Sequence, residues 1–446
     1  MKRFVGMWLV IGAVLLGLVG LFWAFYALAA LGAKGAVALG LPGFWGSSVV
    51  NAVTLMLVTL MTVAALLTVA ERKWSAAMQD RVGANRILVL GKFPLGGVPY
   101  LLADALKMLT KEATFPAARS KLLFELAPVM AFAPTFALFA VVPVGPQVRA
   151  LGETVGMWVA NPDAGLLWVF ALAGLSVYGT TLAGWASNNR VGLLGAVRAS
   201  AQMISYEVSL GLSLVGVMIA YKTLSLQQMA VAQGQDVLGP IPALGILLQP
   251  VAFLVFFTSA FAETKRAPFD LPEGESEIVG YFVEYSGMKF GLLFLAEFVE
   301  VVILAALVAA VFLGGWHPIL FEGWLRANLD PMLFGAVAAA SFLAKVILLT
   351  WLQLVIRWLL PRFRYDQIQS LCWKLLLPAA ILNVFVTGAA VLADPSLELL
   401  AWIGVVEIVA IAGVTVASSR QPAAGHAEHG HDHGDAHAHA AHAAGH

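Results

Sequence analysis

Long apolar runs recur along the chain, and they constrain its fold more than any other feature. A transmembrane helix needs about 20 consecutive apolar residues. Ten segments come close to or exceed this length, at residues 4–31, 50–71, 121–143, 163–186, 202–221, 244–262, 290–313, 333–356, 372–393 and 398–417. Because backbone N–H and C=O groups must pair with each other inside lipid, such segments fold as helices. The sequence therefore predicts an all-α polytopic membrane protein with about ten transmembrane helices.

Composition supports this class and excludes several functions. Only 12% of the 446 residues are charged, whereas soluble proteins average about 25%. The formal net charge is zero, which gives no indication of nucleic-acid binding. Cys372 is the single cysteine, and His317 is the single histidine before the tail, so neither an iron–sulfur ligand set nor a bis-histidine haem site is available. Electrons for any redox reaction must therefore come from a partner, and no metal site is predicted.

The distribution of lysine and arginine predicts the orientation in the membrane. Short cytoplasmic loops of membrane proteins carry an excess of these residues. With a cytoplasmic N-terminus, most of the basic residues fall in inner loops, including the block from Arg72 to Lys121, and few fall in outer loops. We therefore expect both termini on the cytoplasmic side.

Residues 98–112, "VPYLLADALKMLTKE", are too short and too charged to span a membrane. Asp104, Lys107 and Lys111 share one helical face, and apolar residues cover the rest. This pattern is typical of an amphipathic helix that lies in the membrane interface. A solvated loop helix is the alternative.

An acidic stretch runs from Phe261 to Gly287, "FAETKRAPFDLPEGESEIVGYFVEYSG". Four of its acids are spaced by +3, +4 and +7, which predicts one face of a helix, and these are Asp270, Glu273, Glu277 and Glu284. Clustered carboxyl groups raise one another's pKa and can hold protons near neutral pH. Pro272 and Gly274 oppose a regular helix at its start. Spacing alone leaves three interpretations open: a proton relay, a solvated acidic loop that faces the cytoplasm, and a docking surface for a basic partner.

Carboxylates also occur within predicted spans, at Glu207, Glu297, Glu300 and Glu407. A charge at the centre of a transmembrane helix costs about 2.5–3.5 kcal/mol on insertion scales. Such residues face a cavity or a partner, or are protonated. For Glu207 the alternative is snorkelling to the nearby membrane surface, and Glu407 is expected to be structural or a contact residue.

Five segments, taken together and in order, resemble a known family. They are "ERKWSAAMQDRVGANR", "ADALKMLTKE", "GWASNNRVGLLGAVRASAQMISYEVSL", "AETKRAPFDLPEGESEIVGYFVEYSG" and "PRFRYDQ". They are similar to segments of the H subunit of the proton-pumping NADH:quinone oxidoreductase, respiratory complex I, over roughly residues 50–395. One departure is Gly83-Ala84-Asn85, where the family usually has Gly-Pro-Asn.

The resemblance implies a domain organisation. Residues 50–395 would form the eight-helix family core. Residues 1–49 would add a transmembrane helix and a loop, and residues 396–420 would add a helix at the other end. The tail at 421–446 is His-rich and of low complexity, so it is expected to be disordered, and it could bind Zn²⁺ or Ni²⁺ weakly.

The resemblance also implies roles for individual residues. The residues expected to shape the quinone chamber are Glu71, Arg72, Arg81, Asp104, Arg266, Arg357, Arg362, Arg364, Tyr365 and Asp366. The residues expected to form a proton path are Glu207, Glu263, Asp270, Glu273, Glu275, Glu277 and Glu297.

Cofactors and partners follow from the same resemblance. Quinone would be the substrate, the chain would bind no cofactor alone, and FMN and iron–sulfur clusters would lie in partner subunits. The partners would be the peripheral-arm iron–sulfur and quinone-site subunits, small membrane subunits and antiporter-like subunits, in a bacterial inner membrane. A paralogous subunit of an ion-translocating hydrogenase or ferredoxin-dependent complex is the alternative. A stand-alone transporter is disfavoured because we find no inverted repeat.

Overall fold

The computed structural model describes residues 2–87, 97–238, 241–274, 278–318 and 322–420. Two compact units divide the chain, Met1–Gly404 and Val405–His446, and the core and cavities discussed below lie in the first. In the described residues, nine helices are long and apolar enough to cross a membrane. The prediction of an all-α polytopic membrane protein is therefore confirmed. Glu275, Glu277 and the tail at 421–446 lie outside the described residues.

Sixteen α-helices and six short strands make up the described chain. The helices are α1 Lys2–Ala38, α2 Gly43–Asn51, α3 Met61–Met78, α4 Pro99–Thr110, α5 Lys121–Leu138, α6 Gly165–Ala186, α7 Arg190–Tyr221, α8 Leu226–Gln233, α9 Gly245–Leu248, α10 Pro250–Glu263, α11 Gly287–Phe312, α12 Glu322–Asn328, α13 Pro331–Leu359, α14 Tyr365–Leu371, α15 Leu377–Ala393 and α16 Glu398–Arg420. The strands are β1 Gly145–Ala150, β2 Glu153–Met157, β3 Asp236–Leu238, β4 Ile241–Pro242, β5 Glu273–Gly274 and β6 Val279–Gly280. Consecutive strands pair as antiparallel ladders, β1 with β2, β3 with β4 and β5 with β6. Two π-helical turns, Ala52–Leu60 and Cys372–Leu376, join α2 to α3 and α14 to α15.

Helix α11 forms the centre of the core. Every residue from Ala296 to Phe312 is buried, and α11 packs against α3, α5, α10 and α13. Glu297 and Glu300 lie on this helix, so the bundle itself places two carboxyl groups in its interior. We call the end of the bundle where α10 ends and α11 begins the charged end.

The predicted span at 244–262 is broken into two helices. Gln249 lies between α9 and α10 with φ −146° and ψ 68°, and the following residue, Pro250, disfavours helical geometry at this position. Helix α10 has 14 residues, fewer than the roughly 20 that a straight span needs. The buried Gln249 amide binds Thr387 Oγ1 at 3.2 Å, so α15 supplies a polar partner beside the break.

The acidic stretch is not a regular helix, and the predicted single helical face is wrong for its described residues. Turns and the small β5–β6 ladder connect α10 to α11. Pro268 and Pro272 each remove a backbone N–H that a helix needs. Ile278 has φ 59°, which also departs from helical geometry. Asp270 and Glu273 are therefore placed by a loop.

The amphipathic segment is helical as predicted, over Pro99–Thr110, and it packs on α3 and α11. Lys111 has ψ 134° and ends the helix, so it does not extend the face of Asp104 and Lys107. The location of α4 in the membrane interface stays a prediction.

Helices α1 and α2 cross at two glycines. A Cβ atom added to Gly46 would lie 2.0 Å from the Gly32 carbonyl oxygen, so the backbones approach as closely as small residues allow. Farther along α1, the buried Tyr26 donates a hydrogen bond to the Pro146 carbonyl oxygen at 2.8 Å. The N-terminal helix is therefore packed into the core through specific contacts.

Replacing Gly46 with Ala is expected to lower the thermal stability of the protein. The new methyl group must push α1 and α2 apart, and overpacking of this kind costs about 1–3 kcal/mol. The matched control is Gly35→Ala on α1, where an added Cβ meets nothing within 4 Å. Thermal unfolding of the detergent-solubilised protein measures both variants. Equal midpoints for the two would contradict the close crossing.

Candidate functional site

A charged cavity of about 330 Å³ opens at the charged end of the bundle. Side chains of α3, α11, α13 and the loop after α10 line it, so four separate segments of the chain meet there. Its lining consists of Thr68, Glu71, Arg72, Ser75, Arg266, Asp270, Glu273, Phe294, Glu297, Phe298, Arg357 and Trp358. Seven of the residues expected at the chamber or the proton path therefore share one cavity: Glu71, Arg72, Arg266, Asp270, Glu273, Glu297 and Arg357.

Glu71 is held between two guanidinium groups. Its Oε2 accepts a hydrogen bond from Arg266 Nη1 at 2.8 Å, and its Oε1 pairs with Arg357 Nη1. The Arg266 guanidinium also lies over the Phe298 ring, 4.2 Å from its centroid. Burial lowers the pKa of Arg266, although the nearby carboxylates Glu297 and Glu273 oppose this shift. One carboxylate thus ties α3, the loop after α10 and α13 together.

Glu273 faces the cavity from the start of β5 and hydrogen-bonds with Glu297. Burial raises its pKa well above the ordinary value, and the charges of Glu297 and Asp270 raise it further against the opposing effect of Arg266. The Asp270 main-chain oxygen accepts a hydrogen bond from Arg362. Arg362 therefore contacts the site through the backbone of the loop.

The raised pKa of Glu273 predicts a pH-dependent stability. Between the two pKa values the native protein keeps a proton that the unfolded chain has released. The contribution of Glu273 to the free energy of unfolding is therefore fully present below its ordinary pKa of 4.5, and it is lost as the pH rises through the raised pKa. We expect Glu273→Gln to flatten the decline of the thermal midpoint with rising pH in this window. Glu153→Gln, on the distant strand β2, is the control and should keep the wild-type slope. A wild-type slope in Glu273→Gln would contradict the assignment.

An apolar cavity of about 440 Å³ adjoins the charged one. Its walls come from α3, α4 and α11, and the two cavities share Thr68, Arg72, Phe294 and Phe298. Arg72 Nη2 lies 2.7 Å from Asp104 Oδ2 across this boundary, and Lys107 approaches Asp104 at 3.7 Å. The remaining lining is largely aliphatic and aromatic, and includes Leu101, Ala105, Met108 and Leu295.

Carboxyl groups continue from the charged cavity into the core. Tyr281 donates a hydrogen bond to Glu297, and Lys265 Nζ lies 3.2 Å from Glu300 Oε2. Glu297 and Glu300 line one small cavity of about 10 Å³. Glu300, Glu263 and Glu207 line the next, of about 20 Å³. These spaces are of the order that a single water molecule needs.

The series of acids ends on a side groove of the bundle. Glu207 lines an open groove of about 510 Å³ between α6 and α7, which also exposes Tyr178. The described acids thus form a spatial series, Glu273, Glu297, Glu300, Glu263 and Glu207, in which each member contacts the next or shares a cavity with it. The predicted site residues included neither Glu300 nor Tyr281. For Glu300 a signal existed, because it lies one turn after Glu297.

Several predicted chamber residues do not line either cavity. Arg81 is exposed and bonds Gln79 Oε1 at 2.6 Å. Arg364 precedes α14, and its backbone N–H donates to Gln367 Oε1 at 3.0 Å. Tyr365 and Asp366 are exposed in the first turn of that helix. Glu284 accepts a hydrogen bond from Asn189 and is separate from the acid series.

Comparison with known proteins identifies the family. The family model described as NADH dehydrogenase matches residues 50–388. The chain belongs to this family. It is 44% identical over 340 residues to the NADH-quinone oxidoreductase H subunit numbered 2 of Syntrophobacter fumaroxidans, an alignment that covers 76% of this chain and 94% of that protein. It is 43% identical over 337 residues to the H subunit numbered 2 of Geobacter sulfurreducens, covering 75% and 94%.

A third relative gives the same family. The NADH-quinone oxidoreductase H subunit of Thermomicrobium roseum is 44% identical over 339 residues, with 75% of this chain and 93% of that protein covered. In this member of the NADH dehydrogenase family, α1 precedes the matched residues and the whole of α16 follows them. Both cavities and all five members of the acid series lie within the matched range.

Proposed function

We propose that this chain is the membrane subunit of a proton-translocating NADH:quinone oxidoreductase in which the quinone binds. The family membership supports the enzyme class. The observation that carries the binding site is the pair of adjoining cavities, one apolar and one charged. An apolar cavity fits an isoprenoid tail, and a charged cavity fits a polar head group that must receive protons.

Quinone reduction consumes two electrons and two protons and gives quinol. Because the chain has one cysteine and one histidine before the tail, the electrons come from a partner subunit. The family resemblance implies that FMN and iron–sulfur clusters in partner subunits would supply them. The protons come from the charged cavity, where Glu273 has a raised pKa and hydrogen-bonds with Glu297. Loss of protons there changes the charge at the start of the acid series, and this change couples reduction to proton transfer along Glu300, Glu263 and Glu207.

The subunit consists of a family core with additions at both ends. Residues 50–395 form the family core, and α1 with its loop and α16 are additions. The charged end faces the cytoplasm, together with both termini, in a bacterial inner membrane. There it meets the peripheral-arm subunits, and other membrane subunits, the antiporter-like ones among them, cover the sides.

Filling the apolar cavity tests the proposed tail site. Ala105→Phe, on the α4 wall, is expected to raise the KM for a long-tailed quinone about tenfold, because the larger ring occupies the space of the tail. NADH:ferricyanide reductase activity, which needs no quinone, should stay unchanged. Leu102→Phe is the matched control, since Leu102 lies on α4, is 67% exposed and is not part of the cavity lining. Equal KM values in the two variants would contradict the site.

A further inference from the structure

Lys265 is a cation buried among the acids. It is 3% exposed, and it follows α10 in a left-handed conformation with φ 55°. Its Nζ lies 3.2 Å from Glu300 Oε2 and 4.0 Å from Met203 Sδ. A left-handed backbone is uncommon for a residue other than glycine, and a buried ammonium group is costly unless it is paired. The fold therefore keeps this charge in the interior at a cost in folding free energy.

The position of Lys265 divides the acid series. Lys265 lines the small cavity that contains both Glu297 and Glu300. The titratable groups that face it are Glu297 and Glu300 on α11, Glu273 and Tyr281 on the loop, Glu263 on α10 and the neighbouring Arg266. From α5, α6 and α7 the residues Thr135, Ser176, Thr180 and Met203 face it, and they are uncharged. Glu207 lies beyond Glu263 on α7. The ammonium group thus lies between Glu273 and Glu297, at the end of the series near the charged cavity, and Glu263 and Glu207, at the other end.

The charge of Lys265 affects the ionisation of Glu300. Burial opposes the charge of Lys265, yet the carboxylates Glu300, Glu297 and Glu273 outweigh it, and the pKa of the ammonium is raised. A lasting positive charge at 3.2 Å stabilises the ionised form of Glu300 in an interior where a lone carboxylate is unfavourable. An ionised carboxylate can accept a proton, and a neutral acid cannot.

We propose that Lys265 is the positioning residue that keeps Glu300 ionised, so that Glu300 serves as the proton acceptor at the middle of the acid series. The proposal deepens the proposed function and rests on it. A proton that passes from the Glu297 carboxylic acid to the Glu300 carboxylate leaves Glu297 ionised and Glu300 neutral. The net charge of the three groups is unchanged, and the ammonium then pairs with Glu297, which lines the same cavity. Proton delivery from Glu273 to Glu297, and onward transfer from Glu300 to Glu263, restore the starting pair.

The test compares variants of the whole complex. Lys265→Met removes the charge, Lys265→Arg keeps it, and Lys265→Met with Glu300→Gln removes both charges and leaves no unpaired ion. Infrared spectroscopy of the purified complex at neutral pH counts protonated carboxylic acids. We expect one additional protonated acid in Lys265→Met, and none in Lys265→Arg or in the double variant. An unchanged infrared count in Lys265→Met would overturn the inference.

Proton pumping in proteoliposomes provides the second readout. Lys265→Met should lower the number of protons pumped per NADH oxidised about tenfold, because Glu300 loses its accepting form, and Lys265→Arg should restore most of the pumping. If Glu297→Gln stops pumping and Lys265→Met does not, the inference about Lys265 fails and the acid series stands. If Glu297→Gln pumps normally, the proposed proton path itself fails. If Lys265→Met does not assemble, the double variant provides the test. We expect the double variant to assemble and not to pump, and normal pumping in it would overturn the role of the Lys265–Glu300 pair.

Discussion

Glu71→Gln is expected to reduce quinone reductase activity by roughly 30-fold, with assembly of the complex preserved. The substitution keeps the shape of the side chain and removes the charge that Arg266 and Arg357 share. Breaking a fully buried pair costs about 3–5 kcal/mol, and the partial exposure of Arg357 reduces this to about 2 kcal/mol, which is roughly 30-fold in rate. NADH:quinone and NADH:ferricyanide activities, measured on the same membranes, separate the quinone site from NADH oxidation.

Two further variants sharpen this result. Glu71→Asp keeps the charge with a shorter reach, so it should retain more activity than Glu71→Gln. Glu153→Gln, on strand β2 at a distance from both cavities, should behave as wild type. If Glu71→Gln keeps full quinone reductase activity, or if ferricyanide activity falls in parallel, the carboxylate does not organise the quinone cavity.

Glu297→Gln is expected to stop proton pumping almost completely. Glu297 receives a hydrogen bond from Tyr281, contacts Glu273 and shares a cavity with Glu300, so it connects the chamber to the rest of the series. A glutamine side chain retains a similar shape but cannot release a proton. The ratio of protons pumped to NADH oxidised, measured in proteoliposomes, should fall about tenfold or more, as expected when a proton-transferring group is removed.

The far end of the series gives an independent test of the same path. Glu207→Gln should lower the pumping ratio similarly while leaving the KM for quinone unchanged, because Glu207 lines the groove between α6 and α7 and not the chamber. Glu284→Gln is the control, since Glu284 belongs to the acidic stretch but bonds Asn189 away from the series. Normal pumping in Glu297→Gln would contradict the path as a whole, and normal pumping in Glu207→Gln alone would contradict its far end.

The acidic stretch shows where pattern reasoning fails. Its spacing of +3, +4 and +7 fits a helix, yet the described residues form turns and a two-residue ladder. Pro268 and Pro272 each remove a backbone N–H and disfavour helical geometry at the preceding residue, so helical spacing of the acids is not enough to make a helix here. Pro250 interrupts a predicted span for a related reason, since it disfavours helical geometry at Gln249.

Residues of the candidate site divide in the same way. The motifs pointed to Glu71, Arg266 and Glu297, and the structure brings these three together in one cavity. Arg81, Tyr365 and Asp366 belong to the same motifs, and they lie outside the lining of both cavities. A motif lists residues that are near one another in sequence, and it does not say which side chains point into the same space.

The sequence by itself determined the class of this protein, because about ten apolar segments can satisfy their backbone in lipid only as helices. It also excluded a bis-histidine haem site and an iron–sulfur ligand set in the body, since one cysteine and one histidine cannot supply either. Only the tertiary structure decided which charges pair. Glu71 contacts Arg266, 195 residues away in sequence, and Lys265, in the loop after α10, contacts Glu300 on α11. Electrostatic energies depend on distance and burial, and packing of the helices around α11 sets both.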